Sequence, residues 1–332
     1  MHRRVKKVLA DSRGTVAVLV AVLMVALGGF IALAVDIGHL LAVKSELQKA
    51  ADAGALAGAR ALIPYVGNPT LPNWTSGATV AAQTVGLNQA GGVFLSDSQV
   101  QAFYYNLASK ALQATAITPG NRDCPAIQVT LSKTDGANGG PVTHFFANIL
   151  GIATSSINNV QAVAIISSPG QVDAGSCFPL ATPLTWVQQH WNDDPPTSFR
   201  VGSSYHSTDG GQWTSFLIDA NNVPTIRDLM DNGNPTMLKV GDQIWIEPGT
   251  KDSLYSYARE KIGQTVLLPI VADNFGTNAA TPLLAFVPFY VEDAVGGSDK
   301  YIQGHFVKNY PTTGDTPGGA YYGAFIPPKL VR

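Results

Sequence analysis

The sequence predicts an α+β protein: a long N-terminal transmembrane helix that continues outside the membrane, then a small α+β module and a mostly antiparallel β domain. Three observations predict it. An uncharged apolar run lies near the start, helix formers follow it without a proline until Pro64, and short β-type segments between turns fill the C-terminal half.

The chain of 332 residues has room for two modest folded units and extra elements. It is 45% hydrophobic and 13% charged, against about 25% charged in ordinary soluble domains. Its 33 glycines and 21 prolines imply many turns and a weakly charged surface. The net charge of −2 conceals an asymmetry. Arg3, Arg4, Lys6, Lys7 and Arg13 against Asp11 make residues 1–13 basic by +4, leaving −6 for the rest. A mildly acidic body has no electrostatic footprint for nucleic acid, so none is expected as a partner.

Thr15 to Val35, TVAVLVAVLMVALGGFIALAV, is 21 residues without a charge. As a helix it is about 31 Å long, which matches the hydrocarbon core of a bilayer. Lys and Arg flank only its N-terminal side, which places the start in the cytoplasm and the bulk outside. The rival is a cleaved signal peptide, with Ala32-Leu33-Ala34 as the cleavage site. The run exceeds the ~7–15 residues of a signal core, so an uncleaved anchor is expected. Gly28-Gly29 would permit close helix approach, although glycine is common in membrane helices.

Asp36 to Ile63 continues in helix formers, giving one predicted helix over 15–63. At 100° per residue its outer half has two faces. Asp36, Leu40, Val43, Leu47, Ala50, Ala51, Gly54, Gly58 and Ala61 share one side; Ser45, Glu46, Lys49, Asp52, Leu56 and Arg60 fall mainly on the other. The stripe narrows from Leu and Val to Ala and Gly along LQKAADAGALAGARAL. Alanine alone could reflect helix propensity, but each glycine costs up to ~1 kcal/mol relative to Ala inside a helix. Close approach of another helix is the expected reason. Asp36, Leu40, Leu47, Ala51, Gly54 and Gly58 are the candidate helix-packing residues.

Residues 64–76 read as a connector, and Gly77 to Ala90 as a short helix stopped by Gly91-Gly92. Val100–Leu107, Ile127–Leu131 and Asn158–Ile166 read as strands, with a short helix over HFFANILG, 144–151. The expected domains are a basic cytoplasmic tail (1–14), the helix (15–63), an α+β module (64–168), a linker (169–176) and a β-rich domain (177–332). In the last, strands are expected at Thr214–Ile218, Gln243–Ile246, Thr265–Ala272, Leu283–Val291, Tyr301–Lys308 and Tyr321–Ile326. One helix, Asp252–Ile262, interrupts them, and the whole resembles a distorted sandwich or barrel.

Cys124 and Cys177 either form one disulfide, closing a 54-residue loop, or remain thiols. Spacing leaves the choice open. Neither a C-x-x-C pair nor a nearby His completes a metal set, and no cofactor or metal is expected. No H-E-x-x-H, Walker A or G-x-S-x-G motif occurs. His2, His39, His144, His190, His206 and His305 are scattered. His190 with Asp193 and Asp194, in QQHWNDDPP, is the nearest approach to a reactive cluster and reads as a polar loop. Asp231-Asn232-Gly233-Asn234 lacks the later Glu of a calcium loop and reads as a turn. No enzyme is expected. Trp186, Trp191 and Trp213 supply the alternative, a secreted or anchored β-rich ligand-binding protein, though aromatics are more often core.

The segment from the apolar run through LAVDIG (Leu33–Gly38) and LQKAADAGALAGA (Leu47–Ala59) resembles Tad (tight-adherence, Flp) pilus-assembly proteins of the TadG-like kind. Their pattern is an apolar span, then L-A-V-D-x-G, then L-Q-x-A-A-D-A-A-A-L-A-G-A, from which Gly54 departs. HFFANILGIATSSINNVQAVAI is similar to the F-F-A-x-x-L-G-I segment and strand of TadE- and TadG-like proteins. GDQIWIEPG and LLAFVPFYVEDA resemble the tails of some TadG-related proteins. The D-x-S-x-S metal site carried by some relatives does not occur in this sequence, so metal-dependent adhesion is not implied. The resemblance implies a single-pass protein of the bacterial inner membrane, a pilin-like assembly or minor component that packs on other Tad subunits. It also suggests that Asp36 pairs with a neighbouring subunit's cation; the alternative is an Asp marking the exit into water.

Overall fold

A computed structural model of the chain describes residues 12–65, 71–201, 211–220, 222–247, 252–273, 275–276, 278–314 and 316–331, with side chains from Val16 onward. The basic residues Arg3, Arg4, Lys6 and Lys7, with His2, His206 and the connector at 66–70, lie outside the described residues.

The described residues open with one helix, α1 (Ser12–Arg60), within three residues of the predicted ends. Pro64 bars its continuation. Helix α2 (Trp74–Gly86) follows, started by Asn73, whose side chain accepts from the Ser76 N–H at 3.1 Å. It ends sooner than expected. Gly91 and Gly92 do not stop a helix; both have positive φ, 61° and 75°, and form the two-residue turn joining β1 (Gln89–Ala90) to β2 (Val93–Phe94). Strands β3 (Gln99–Asn106), β4 (Ala111–Gln113) and β5 (Asp123–Lys133) come next. The segment read as a helix at 144–151 holds only a 3₁₀ turn, Ala147–Leu150, between the paired β6 (Val142–Thr143) and β7 (Thr154–Ser155). Then come β8 (Ile157–Ser167), β9 (Gln171–Val172), β10 (Leu180–Pro183), α3 (Leu184–His190), β11 (Phe199–Val201) and β12 (Gln212–Phe216). Helix α4 (Val223–Asn232), β13 (Leu238–Lys239), β14 (Gln243–Ile246), α5 (Asp252–Tyr257), β15 (Thr265–Val271), β16 (Ala279–Val295), β17 (Tyr301–Phe306), β18 (Tyr310–Pro311) and β19 (Ala324–Leu330) complete the chain.

The chain divides into two compact units. The first comprises the chain up to Ala51, Thr84–Gln99 and Thr130–Gln161. In it the Gly91 N–H donates to the Glu46 carboxylate at 2.7 Å. Buried Asn138, at φ 53°, accepts from the Ser96 and Asp97 N–H groups and donates to the Asp97 and Ser132 carbonyls. One amide thus fastens three chain segments with all its polar capacity used.

The second unit comprises Asp52–Gln83, Val100–Val129 and Ala162–Arg332. One sheet in it has the order β18-β19-β8-β5-β3-β4. The last strand, β19, returns to pair antiparallel with β8, Ile326 opposite Ser167. A second sheet has the order β11-β17-β16-β14-β12-β10-β15, and β16 also bonds β15. The ring β16-β14-β12-β10-β15 is therefore closed, with only β10–β15 parallel. Of the sandwich and the barrel, the barrel is found. Its core holds Trp213, Phe216, Tyr255, Phe286 and Phe289.

The small-residue stripe of α1 meets its partner here. A Cβ on Gly58 would lie 2.7 Å from the Ala81 Cβ and 2.8 Å from the Gly77 carbonyl; one on Gly77 would lie 2.6 Å from Leu62. The two glycines let α1 and α2 cross in contact above Ile127 of β5. Gly58→Ala should lower stability by roughly 1–3 kcal/mol through overpacking, overriding alanine's helix advantage of ~1 kcal/mol. Gly38, with nothing within 4 Å of its Cβ position, is the control. Gly38→Ala should be neutral or stabilising in the same thermal unfolding measurement.

Candidate functional site

The first half of α1 is uncovered. From Val16 to Val35 every side chain except that of Ala32 is exposed, an apolar surface with no charge. Among the described residues, α1 is the one helix long and apolar enough to cross a membrane. Past Asp36 the pattern inverts: Val43, Leu47, Ala50, Ala51, Gly54, Ala55, Gly58 and Ala59 are all buried within the chain. Leu40 is half-buried. Of the residues expected to meet helices of other subunits, Leu47, Ala51, Gly54 and Gly58 are thus buried in their own chain, and Leu40 keeps part of its surface open. The chain's own fold covers this face, and at Gly58 the approaching helix is α2.

Asp36 marks the change of environment and is only 2% exposed. The Phe145 N–H donates to its Oδ1 at 2.7 Å and the Ala147 N–H to its Oδ2 at 2.6 Å. The Phe146 N–H reaches both oxygens, at 3.3 and 3.1 Å. These are the orphan donors at the start of the 3₁₀ turn, and a carboxylate from another element caps them. Burial pushes the Asp36 pKa up, but the bonds from Ala147, Phe145 and Phe146 outweigh it, helped by His144, and the net value falls below 3.8. Where the resemblance suggests pairing with a neighbouring subunit's cation, the carboxylate is engaged by backbone N–H groups of its own chain.

The turn that Asp36 holds is apolar and bare. Ile149 is 85% exposed and Leu150 82%, with Phe145, Phe146 and Ile152 also exposed. Leaving Ile149 and Leu150 in water forgoes roughly 1.5–3 kcal/mol each. The His39 ring packs on Phe145, centroids 5.0 Å apart. Gly151, at φ 83°, closes the turn. A groove of about 450 Å³ separates this tip from α1, lined by Gly28, Gly29, Leu33 and Asp36 on one side and by Phe146 and Leu150 on the other.

The remaining candidates are structural. Cys124 and Cys177 are free thiols, which corrects the disulfide alternative. They sit in separate cores, Cys124 with Tyr105, Val163 and Ile165, Cys177 in the barrel cluster. Burial raises the Cys124 pKa to about 11 and raises that of Cys177 further, so neither is a ready nucleophile. His190 belongs to α3 rather than to a loop; its Nδ1 lies 3.2 Å from Asp193, and its ring packs on Trp186 and Phe199. Asp231 and Asn232 end α4, with Gly233 as its cap. Trp213 is buried against Phe178 and Tyr255, while Trp186 and Trp191 are half-buried. An unforeseen cluster joins Ser198 and His305 to Glu292, at 2.7 and 2.6 Å. Both partners face the carboxylate, whose pKa burial raises and these bonds, with Gln303, bring below the usual value. This orders a polar patch without a Ser–His contact.

The folded pKa of Asp36 lies below its unfolded value, so its contribution is complete above pH 3.8 and is lost as the pH falls through the folded value. Amide exchange of residues 145–147 should therefore be protected at neutral pH. Asp36→Ala should lower that protection several-fold, and the wild type should converge on the variant as acid titrates the carboxylate.

Residues 14–61 match the family model described as Flp pilus-assembly TadE/G-like, and residues 46–165 match that described as Tad-like Flp pilus-assembly. Neither the curated proteins nor the solved structures compared with the chain give a match. The two family matches overlap along the outer half of α1 and together take in Asp36, the small-residue stripe and the 144–151 turn. Both describe pilus-assembly proteins. Over residues 14–165 the chain is thus similar to Flp pilus-assembly proteins of the TadE/G-like kind.

Proposed function

We propose that the protein is a membrane-anchored, pilin-like component of a Tad-type pilus machine, held by one span of the bacterial inner membrane. The basic start faces the cytoplasm, because Arg3, Arg4, Lys6, Lys7 and Arg13 crowd that side of the span, while on the other side the first Lys or Arg is Lys44. The folded units stand outside and offer contact surfaces to other pilus proteins. The observation that carries this is the bare apolar half of α1 joined, without a break, to a half whose stripe is internally satisfied.

This division moves the helix contacts with other subunits from the outer stripe into the membrane. At 3.6 residues per turn, Val20, Leu23, Leu27, Phe30 and Ile31 lie opposite the groove face. All are exposed. They form a knobbed surface on which a second apolar helix packs by van der Waals contact, the main attraction available between helices in lipid. A minor-pilin role follows if those helices are pilins.

Leu27→Trp keeps the span apolar but changes the shape of that surface. Pili should be lost, by electron microscopy and in sheared fractions, while the variant stays at normal level in the membrane. Val25→Trp, on the groove face, should leave piliation intact. Normal piliation with Leu27→Trp would count against the reading.

A further inference from the structure

We propose that the 145–152 turn is a second membrane contact, an apolar tip that enters the outer leaflet beside the span and holds lipid acyl chains in the groove between them. It rests on the anchor reading above and adds a site to it.

Position is the first argument. The tip hangs beside the apolar half of α1: Phe146, Ile149 and Leu150 share the groove with residues from Asp36 back to Val25. Val25 lies eleven residues before Asp36, or about 16 Å along a helix. With the helix crossing the bilayer up to Val35, side chains level with Val25–Leu33 stand at the depth of the acyl chains. The groove is a continuation of the surface that faces lipid.

Chemistry is the second. No Asp, Glu, Lys or Arg occurs between Asp135 and Asp173. Irregular backbone is costly at membrane depth because every unsatisfied N–H meets hydrocarbon. Here seven of the N–H groups from His144 to Ile152 are already engaged. Those of Phe145, Phe146 and Ala147 donate to Asp36. Those of His144, Ile149, Gly151 and Ile152 donate to the carbonyls of Ala153, Phe146, Asn148 and Ala147. A tip with exposed apolar side chains and an internally bonded backbone suits lipid and is a poor fit to water.

The test uses the full chain in phosphatidylethanolamine–phosphatidylglycerol vesicles, with nitroxides on Ile149→Cys, Leu150→Cys, Val25→Cys and Lys49→Cys. The wild type, its two cysteines buried, is the blank. Collision with oxygen reports lipid, and collision with an aqueous nickel chelate reports water. Labels at 149 and 150 should match the one at 25, with oxygen collisions several-fold favoured, while the label at 49 shows the reverse. Labels at 149 and 150 behaving like the one at 49, with 25 still in lipid, overturn the tip and spare the anchor. Shielding of 149 and 150 from both agents means that protein covers the tip, which also overturns it. A label at 25 in water removes the anchor reading and this inference with it.

Discussion

Three consecutive backbone N–H groups converge on the carboxylate of Asp36, one residue beyond the uncharged span. A carboxylate at the edge of hydrocarbon is expensive unless hydrogen bonds replace its water. The turn beginning at Phe145 supplies them, and its own orphan donors are satisfied in the same contact. Each side removes the other's desolvation cost. Removing this contact would leave a buried carboxylate and three backbone N–H groups without these partners.

The second constraint is the change of surroundings along α1. Helical periodicity carries the groove face, through Asp36, onto the side where Leu47, Ala51, Gly54 and Gly58 are buried. Large apolar side chains serve where lipid or a loosely fitted helix is the neighbour. Small ones serve where another helix must come within backbone contact and a strand's side chain packs close, as Gly77 and Ile127 do at Gly58. The glycines lower intrinsic helix stability in return for packing density.

Much of this was legible in the sequence. The span and the unbroken helix follow from hydropathy and the lack of proline, and the long strands from runs of β-branched and aromatic residues. Asp36 stood out by position, but its partners lie 109 to 111 residues away, a distance at which no local pattern carries information. The stripe announced a close approach without saying whose helix approached, since periodicity records a face and not its occupant. Gly91-Gly92 carries the pattern of a helix stop because a two-glycine turn and a helix end demand the same positive φ. Helix α4 was missed although its signals were present: Asn222 capping Thr225, a proline in the first turn, and Ile226, Leu229 and Met230 on one face. The cysteines show the opposite limit, because nothing in their spacing assigns them to different cores.

The central claim is that α1 changes partners at Asp36, with other chains or lipid before it and its own chain after it. Photo-leucine incorporated throughout the protein, irradiated in the assembled machine and mapped by mass spectrometry, tests this without altering side-chain volume much. The account predicts adducts from Leu23 and Leu27 to other chains, and adducts from Leu47 and Leu62 only within the same chain. Adducts from Leu47 or Leu62 to another chain would contradict it.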